Sequence, residues 1–244
     1  MNAQEIQDHL VGALKTGMSQ GCEMGGVLVQ ACESLSRAPA HTLGEMRRRS
    51  KKVRGDVFEL FCKHYLLHCG GMSDAWLLHE VPEDVRLALH LTRRDVGIDL
   101  IGRDANGAFY AIQAKFRRRV PGKRTCVTWK ELSTFYALCA RTGPFKQHIV
   151  MTTADYVRRM GKKRAQDVTI GYNKIQKVSH FEWIDIIASL DTRGARVRGT
   201  VGARSAEQNT RPEMDRESLR ERRLRFFARR DGDKSAGDVP DNPV

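Results

Sequence analysis

Three polar side chains interrupt two short apolar segments in GIDLIGRDANGAFYAIQAKF, residues 97–116. They are an acid, an amide and an amine: Asp99, Gln113 and Lys115. Carboxylate and amide oxygens are ligands that Mg²⁺ uses, usually together with retained water. A lysine beside such ligands can orient or deprotonate a water molecule, or offset the charge of a phosphate. These groups are the parts that metal-assisted hydrolysis of a phosphodiester requires.

The Asn106-Gly107 pair between the two segments predicts a β-hairpin. In a three-residue loop over 105–107, Gly107 takes the left-handed position of a bulge and Asp99 lies opposite Gln113. A two-residue loop would instead oppose Asp99 to Ala114 and divide the polar groups between the two faces. We favour the longer loop because alternation along the strands then gathers all three polar groups on one face.

A simpler interpretation of the same residues is a solvated cross-strand ion pair between Asp99 and Lys115. Such a pair contributes only about 0.2–1 kcal/mol to stability. Residue spacing alone leaves the structural and the chemical interpretation equally open.

Helical and strand patterns alternate around the hairpin, which predicts a single α/β unit from Gly55 to about Leu190. The elements expected to position the polar groups are a helix over 56–67, a helix over 129–141 and a buried strand over 147–153. Thr128 and Glu131 form a T-x-x-E capping box at the start of the second helix.

The remaining segments are less sharply defined. We predict helices over 3–16 and 23–36 and a basic helix around 154–165, whereas the apolar segment 181–190 fits either a helix or a strand. After Asp191 the composition turns to Arg, Gly, Ser and Asp with little to bury, so residues 191–244 are expected to form an Arg-rich, mostly disordered tail with a short helix over 213–229.

The charge balance favours a polyanionic partner. The 244 residues contain 42 Lys and Arg against 29 Asp and Glu, a formal net charge of +13. Nucleic acid is favoured over an anionic membrane because no amphipathic membrane anchor is found. The six cysteines show no C-x-x-C pair and no signal peptide is present, so we expect a soluble, intracellular protein with reduced thiols, in the cytoplasm or, in a eukaryotic host, the nucleus.

The GIDLIG strand followed by a hairpin and AIQAK resembles the PD-(D/E)xK nuclease superfamily, in particular its Mrr-like restriction endonuclease branch. The resemblance extends over roughly residues 54–186, including RGDVFELF, the capped helix and VMTT. It implies an α/β fold with a restriction-endonuclease-like core, in which helices flank a central mixed β-sheet. We therefore expect a nuclease domain over 51–190, preceded by a helical N-terminal extension with a basic run over 1–50.

The resemblance also implies a Mg²⁺-dependent endonuclease that hydrolyses DNA, with Mn²⁺ as a substitute metal. Asp99, Gln113 and the Ala114 carbonyl would hold the metal, Lys115 would be the catalytic lysine, and Glu59 would act from the first core helix. Gln in place of the usual Glu removes one negative charge, so a weaker metal site is expected. For Glu59, an ion pair with Lys63 one turn along the helix is an equally good interpretation.

Basic residues close to the hairpin in sequence are predicted to bind the phosphate backbone of DNA. They are Arg117, Arg118, Arg119, Lys123, Arg124, Arg158, Arg159, Lys162 and Lys163. The basic run 47–54 fits a nuclear localisation signal or a further phosphate-binding segment.

Two alternatives stay open beside the restriction-type endonuclease. One is a DNA-binding module that keeps the nuclease fold without cleaving, and Gln113 is the residue that favours it. The other is a junction resolvase or repair nuclease acting on branched DNA. A homodimer is also consistent with the sequence, since cutting two strands often takes two sites.

Overall fold

The computed structural model of the protein describes residues 2–35, 43–92, 97–120, 122–158 and 164–191. The helices in these ranges are α1 (Ala3–Ser19), α2 (Met24–Ser34), α3 (Leu43–His68), α4 (Glu83–Ala88), α5 (Trp129–Cys139), α6 (Tyr172–Gln176) and α7 (His180–Leu190). The strands are β1 (Met72–Leu77), β2 (Leu100–Asp104), β3 (Phe109–Lys115), β4 (Cys126–Thr128), β5 (Gln147–Thr152), β6 (Tyr156–Arg158) and β7 (Asp167–Ile170).

Five strands form a central sheet in the order β1-β2-β3-β5-β7. Strand β2 pairs antiparallel with both β1 and β3, whereas β5 pairs parallel with β3 on one side and with β7 on the other. Strands β4 and β6 form a separate parallel pair. Helices flank this mixed sheet, so the predicted restriction-endonuclease-like α/β fold class is confirmed.

One face of the sheet packs against α3, and α1, α2 and α7 pack on α3 within the same core. This core includes Leu10, Leu28, Phe61, Leu100 and Ile186, all of which are fully buried. Burial of large apolar side chains of this kind is the main favourable contribution to folding. The sheet is therefore fixed against α3, the helix that faces the end of the hairpin.

The opposite face of the sheet packs against α4 and α5. Ile101, Ala111 and Val150 of the strands contact a second buried cluster that includes Val85 and Phe135. Neighbouring strand residues alternate between the two clusters, as the period of two requires. The sheet is thus covered on both faces.

The predicted N-terminal helices are present and belong to the main core. Helices α1 and α2 contain the segments 3–16 and most of 23–36, and Leu10 and Leu14 of α1 have no exposed surface. The side chain of Asn2 accepts a hydrogen bond from the backbone of Glu5, which caps α1 at its first turn.

Two of the predicted elements differ from the structure. Helix α3 starts at Leu43 and so includes the basic run, because it continues without a break into the buried segment predicted as 56–67. The prediction of a helix around 154–165 is wrong for 154–158, where Tyr156–Arg158 forms strand β6 beside β4. Residues 159–163 and the tail, including the predicted helix over 213–229, lie outside the described residues.

The reason for the strand at β6 is a long-range contact. Asp155 accepts hydrogen bonds from the Thr125 N–H at 2.7 Å and from Arg119 Nη1 at 2.9 Å. These bonds fix the chain in an extended path beside β4, and tertiary pairing overrides the local helical preference. The undetermined segment 181–190 is helical, in α7, with Ser179 and Glu182 as its capping box.

All six cysteines are free, as predicted. Among the described helices, none combines the length and the apolar character that a membrane-crossing segment requires.

Candidate active site

The β2–β3 hairpin has the register predicted from the longer loop. Leu100 pairs with Ile112 and Ile101 with Ala111, so Asp99 stands opposite Gln113. Gly107 adopts a φ of +80°, the left-handed conformation that the bulge requires. The hairpin prediction is confirmed.

The carboxylate of Asp99 is held by the neighbouring strand. Gln113 Nε2 donates to Asp99 Oδ2 at 2.5 Å, and the Ala114 N–H donates to the same oxygen at 2.7 Å. Gln113 itself is buried, with 2% of its surface exposed. Both donors stabilise the charged form of the carboxylate and hold Asp99 at the open end of the hairpin.

Gly97 explains how the chain reaches Asp99. Its φ is +127°, and a Cβ at this position would lie 3.0 Å from the backbone nitrogen of Phe135 in α5. Only glycine permits this close approach in this conformation. The glycine of the G-I-D motif therefore sets the distance between Asp99 and the helix packed behind it.

Two buried threonines fix the chain after the Q-x-K motif, and the sequence reasoning did not identify them. Thr152 Oγ1 donates to the Lys115 carbonyl at 2.6 Å, and Thr153 Oγ1 donates to the Arg117 carbonyl at 2.8 Å. Both side chains are fully buried. Their position at the end of strand β5 was the available signal, because β5 was predicted to be buried and polar side chains in a buried strand need partners.

Four of the predicted site residues line a single cleft of about 460 Å³ between α3 and the hairpin: Glu59, Asp99, Ala114 and Lys115. The fifth, Gln113, is joined to this group through its hydrogen bond to Asp99. The structure therefore brings together all the residues that the resemblance had assigned to the site.

The pKa of the buried Cys62 thiol also indicates that Glu59 and Asp99 lie close together. Burial raises its pKa, and the carboxylates of Glu59 and Asp99 add to the effect together with Cys32. The carboxylates of Glu59 on α3 and Asp99 on the hairpin therefore both lie near the Cys62 thiol. Lys63, the residue that could have paired with Glu59, donates to Glu80 Oε2 at 2.6 Å.

Among the described residues, the cations predicted to bind DNA fall into three groups. Arg117 and Arg118 line the cleft, and each also contacts an acid of the protein: Arg117 pairs with Glu131, and Arg118 Nε lies 3.5 Å from Glu33 Oε1. Both remain at the cleft with a partner that a phosphate would have to share or displace.

Arg119 makes its contacts with other residues of the protein. It donates to Asp155, and its guanidinium lies 3.8 Å from the centre of the Tyr172 ring. We therefore do not count it among the cleft cations. Lys123, Arg124 and Arg158 are exposed, away from the residues that line the cleft. Arg159, Lys162 and Lys163 lie outside the described residues.

The basic run 47–54, for which a phosphate-binding segment was one of two interpretations, contributes four cations to the cleft: Arg48, Lys51, Lys52 and Arg54. The sequence analysis did not predict that this run continues into the same helix as Glu59. Helical spacing was the available signal, because residues 48, 52, 55 and 59 recur on one face of a continuous helix.

The acid, the amide and the lysine thus lie at the ends of two interior strands of the mixed sheet, beside a basic cleft. A family model described as "Restriction endonuclease" matches residues 69–191, half of the chain. The chain therefore belongs to this restriction endonuclease family, and the Mrr-like resemblance is confirmed. The match contains Asp99, Gln113 and Lys115, whereas Glu59 and the basic part of α3 precede it. Neither a curated protein nor a solved structure matches the chain.

Proposed function

We propose that the protein is a metal-dependent DNA endonuclease. The observation that carries the proposal is the meeting of Glu59, Asp99, Ala114 and Lys115 in one basic cleft of a restriction endonuclease domain. Hydrolysis would add water across a P–O3′ bond and leave a 3′-hydroxyl and a 5′-phosphate. A strongly positive chain of net charge +13 suits a polyanionic substrate.

The donor set fits a hard divalent cation. We assign Asp99 Oδ1, the Gln113 amide oxygen and the Ala114 carbonyl as its ligands, since Oδ2 of Asp99 already accepts two hydrogen bonds. Among the described residues no group of three or more His, Cys, Asp or Glu side chains is arranged to hold a metal. A site with one acid and neutral oxygens suits Mg²⁺ or Mn²⁺ with several retained waters. When bound, the ion would supply Lewis-acid stabilisation of the phosphate charge.

The chain's own residues would perform the remaining work. Lys115, half-buried at the cleft, would place its ammonium group beside the scissile phosphate, where it would offset the phosphate charge and orient the attacking water. The bond from Thr152 to the Lys115 carbonyl fixes the strand end from which this side chain extends. Glu59 would accept hydrogen bonds from water at the α3 side of the cleft.

A plasmid nicking assay tests the metal requirement. We expect supercoiled DNA to be converted to nicked and linear forms with Mg²⁺ or Mn²⁺, and to remain intact with EDTA. The product ends should be 5′-phosphates, read out by ligation and by end labelling before and after phosphatase treatment. Cleavage that persists in EDTA, or ends that carry 3′-phosphates, would contradict the proposal.

Gln113 supports a second candidate, a DNA-binding module that has lost cleavage. The buried amide gives Asp99 a neutral partner at 2.5 Å, so the site is held together by protein contacts alone. This candidate predicts salt-sensitive DNA binding without turnover in any metal, and equal binding by wild type and Asp99→Ala. The nicking assay distinguishes the two candidates directly.

A further inference from the structure

The N-terminal half of α3 forms one wall of the cleft and is rich in cations. Arg48, Lys51, Lys52 and Arg54 line the cleft on the side opposite Lys115. From residue 48 to residue 59 the helix rises roughly 16 Å at ~1.5 Å per residue. That length corresponds to several nucleotides of a DNA strand at ~3.4 Å each.

Two of these cations have no ion-pair partner among the described residues. Lys52 Nζ lies 2.9 Å from Asp56 Oδ2, but Arg48 and Lys51 are exposed and make no such contact within the described part of the chain. Neither charge is balanced by an ion pair among the described residues, although Asp56, Glu59 and Asp99 line the same cleft. An anion is the complement that this surface lacks.

Arg54 supplies a second, independent sign of a missing partner. Its Nε atom is shielded from solvent and has no hydrogen-bond partner among the described residues. A buried donor without a partner is costly, and a guanidinium offers a planar pair of donors suited to phosphate. Arg54 lines the cleft, so a phosphate bound there would lie beside this guanidinium.

Gly55 keeps the same wall open. It lies inside α3, where glycine is unfavourable, yet an added Cβ would meet only Glu59 Oε1, at 3.8 Å. No packing contact among the described residues therefore requires glycine here. The absence of a side chain leaves room for a backbone to approach α3 between the cations and Glu59.

We propose that the N-terminal half of α3 is the DNA-backbone docking surface of the enzyme, with Arg48, Lys51 and Arg54 as its phosphate contacts. The inference rests on the proposed function, and it assigns substrate binding to a segment outside the matched family domain. The phosphates bound by α3 would lie beside the scissile phosphate at Lys115 and set the path of the cleaved strand through the cleft.

The test measures DNA binding separately from cleavage. A fluorescent duplex is titrated with the full chain in Ca²⁺ and in EDTA at several salt concentrations, and the slope of log K against log salt is compared between variants. Each lost phosphate contact makes this negative slope less steep by about 0.9. We expect Arg48→Ala/Lys51→Ala to reduce the steepness of this negative slope by about 1.8. We also expect the variant to bind DNA more weakly, on the order of tenfold per contact at ~0.1 M salt.

A matched control removes the same charges elsewhere. Arg141→Ala/Lys177→Ala replaces one exposed arginine and one exposed lysine that do not line the cleft. We expect this control to keep the wild-type slope. Equal slopes for the cleft variant and wild type, or equal losses for the cleft variant and the control, would overturn the inference.

Arg54→Met separates binding from folding. The methionine keeps the apolar stem and removes the unsatisfied donor, so we expect an unchanged or higher Tm together with weaker DNA binding. An unchanged affinity in a stably folded Arg54→Met protein would exclude Arg54 as a contact.

The experiments distinguish failure of the docking surface on α3 from failure of the proposed nuclease activity. If wild type nicks DNA with Mg²⁺ but the Arg48→Ala/Lys51→Ala slope is unchanged, the docking surface is wrong and the proposed function stands. If wild type binds with the expected slope change but never cleaves, the nuclease proposal fails while α3 remains a DNA-binding surface. If wild type does not bind DNA, both are overturned.

Discussion

Gln113 fixes the Asp99 carboxylate at the cleft, since its amide donates to Asp99 Oδ2 at 2.5 Å. A neutral donor stabilises the ionised acid in the absence of a metal, whereas a second carboxylate at this distance would repel it. In the proposed metal site, Gln113 would therefore lower the affinity for the cation and hold Asp99 in place without it.

We predict that Gln113→Glu makes stability depend on the metal. In EDTA the two carboxylates would lie against each other and the hydrogen bond would be lost, which costs about 1–3 kcal/mol of unfolding free energy. Added Mg²⁺ should restore stability in proportion to its affinity, because a ligand that binds only the folded state raises the unfolding free energy. Thermal unfolding of wild type and of Gln113→Glu, in EDTA and in increasing Mg²⁺, measures how Tm depends on the metal.

The control for this prediction is Gln166→Glu, which adds the same charge at an exposed position away from the cleft. Its Tm should respond to Mg²⁺ as wild type does. A Gln113→Glu protein with unchanged Tm in EDTA and no response to Mg²⁺ would show that residue 113 does not face a cation.

The elements that position the site were predictable where the signal was local. The Asn106-Gly107 turn identified the hairpin, and the Glu131 carboxylate does accept from the Thr128 N–H and hydroxyl, each at 2.9 Å, at the start of α5. Turns and caps depend on residues close in sequence, so a single chain carries enough information to find them.

Contacts between distant segments were not predictable in the same way. Strand β6 depends on pairing with β4, and the cleft depends on how α3 packs across the hairpin. The charged sequence around Arg48 gives no apolar period to mark it as part of a helix, and its helical state follows from the buried continuation at Phe58 and Phe61. Such information lies in packing, which composition does not encode.

The contact between α3 and α7 leads to a prediction about pH. His64 of α3 is buried, its Nδ1 lies 2.6 Å from Ser189 Oγ, and burial lowers its pKa to about 4. The unfolded chain, with an ordinary histidine pKa of about 6.5, binds more protons between these values. The stability that the neutral His64 maintains is therefore fully present above pH 6.5 and is lost as the pH falls toward 4.

We expect the unfolding free energy of wild type to drop between pH 7.5 and pH 4, with a contribution from His64 on the order of 3 kcal/mol. Chemical denaturation across this range should show a flatter profile for His64→Gln than for wild type. The exposed His79→Gln variant serves as the control. Parallel profiles for all three proteins would contradict the assignment.

At the scale of the whole molecule, the hydrophobic core extends beyond the matched family domain. The family match begins at residue 69, whereas the core cluster of the sheet includes Leu10, Leu14 and Leu28 of the first two helices. Helix α2 also contacts the loop after the Q-x-K motif, since Glu33 lies beside Arg118. The N-terminal helices therefore support the cleft as well as the sheet.

We predict that Leu10→Ala destabilises the whole described fold in one cooperative transition. A buried leucine reduced to alanine typically costs about 2–5 kcal/mol. The exposed Leu87→Ala is the matched control and should change stability little. If denaturation of Leu10→Ala shows an early separate transition while the sheet unfolds at the wild-type midpoint, the N-terminal helices form an independent unit.

We propose that the cleft residues carry metal-dependent DNA cleavage, and the nicking rates of single variants test this proposal. Plasmid nicking in Mg²⁺ is timed for wild type, Asp99→Asn, Lys115→Met and the exposed control Lys177→Met, all purified in parallel. We predict that the control keeps the wild-type rate and that loss of the metal ligand or the lysine slows cleavage about 10²-fold or more. Equal rates for all four proteins would contradict the account.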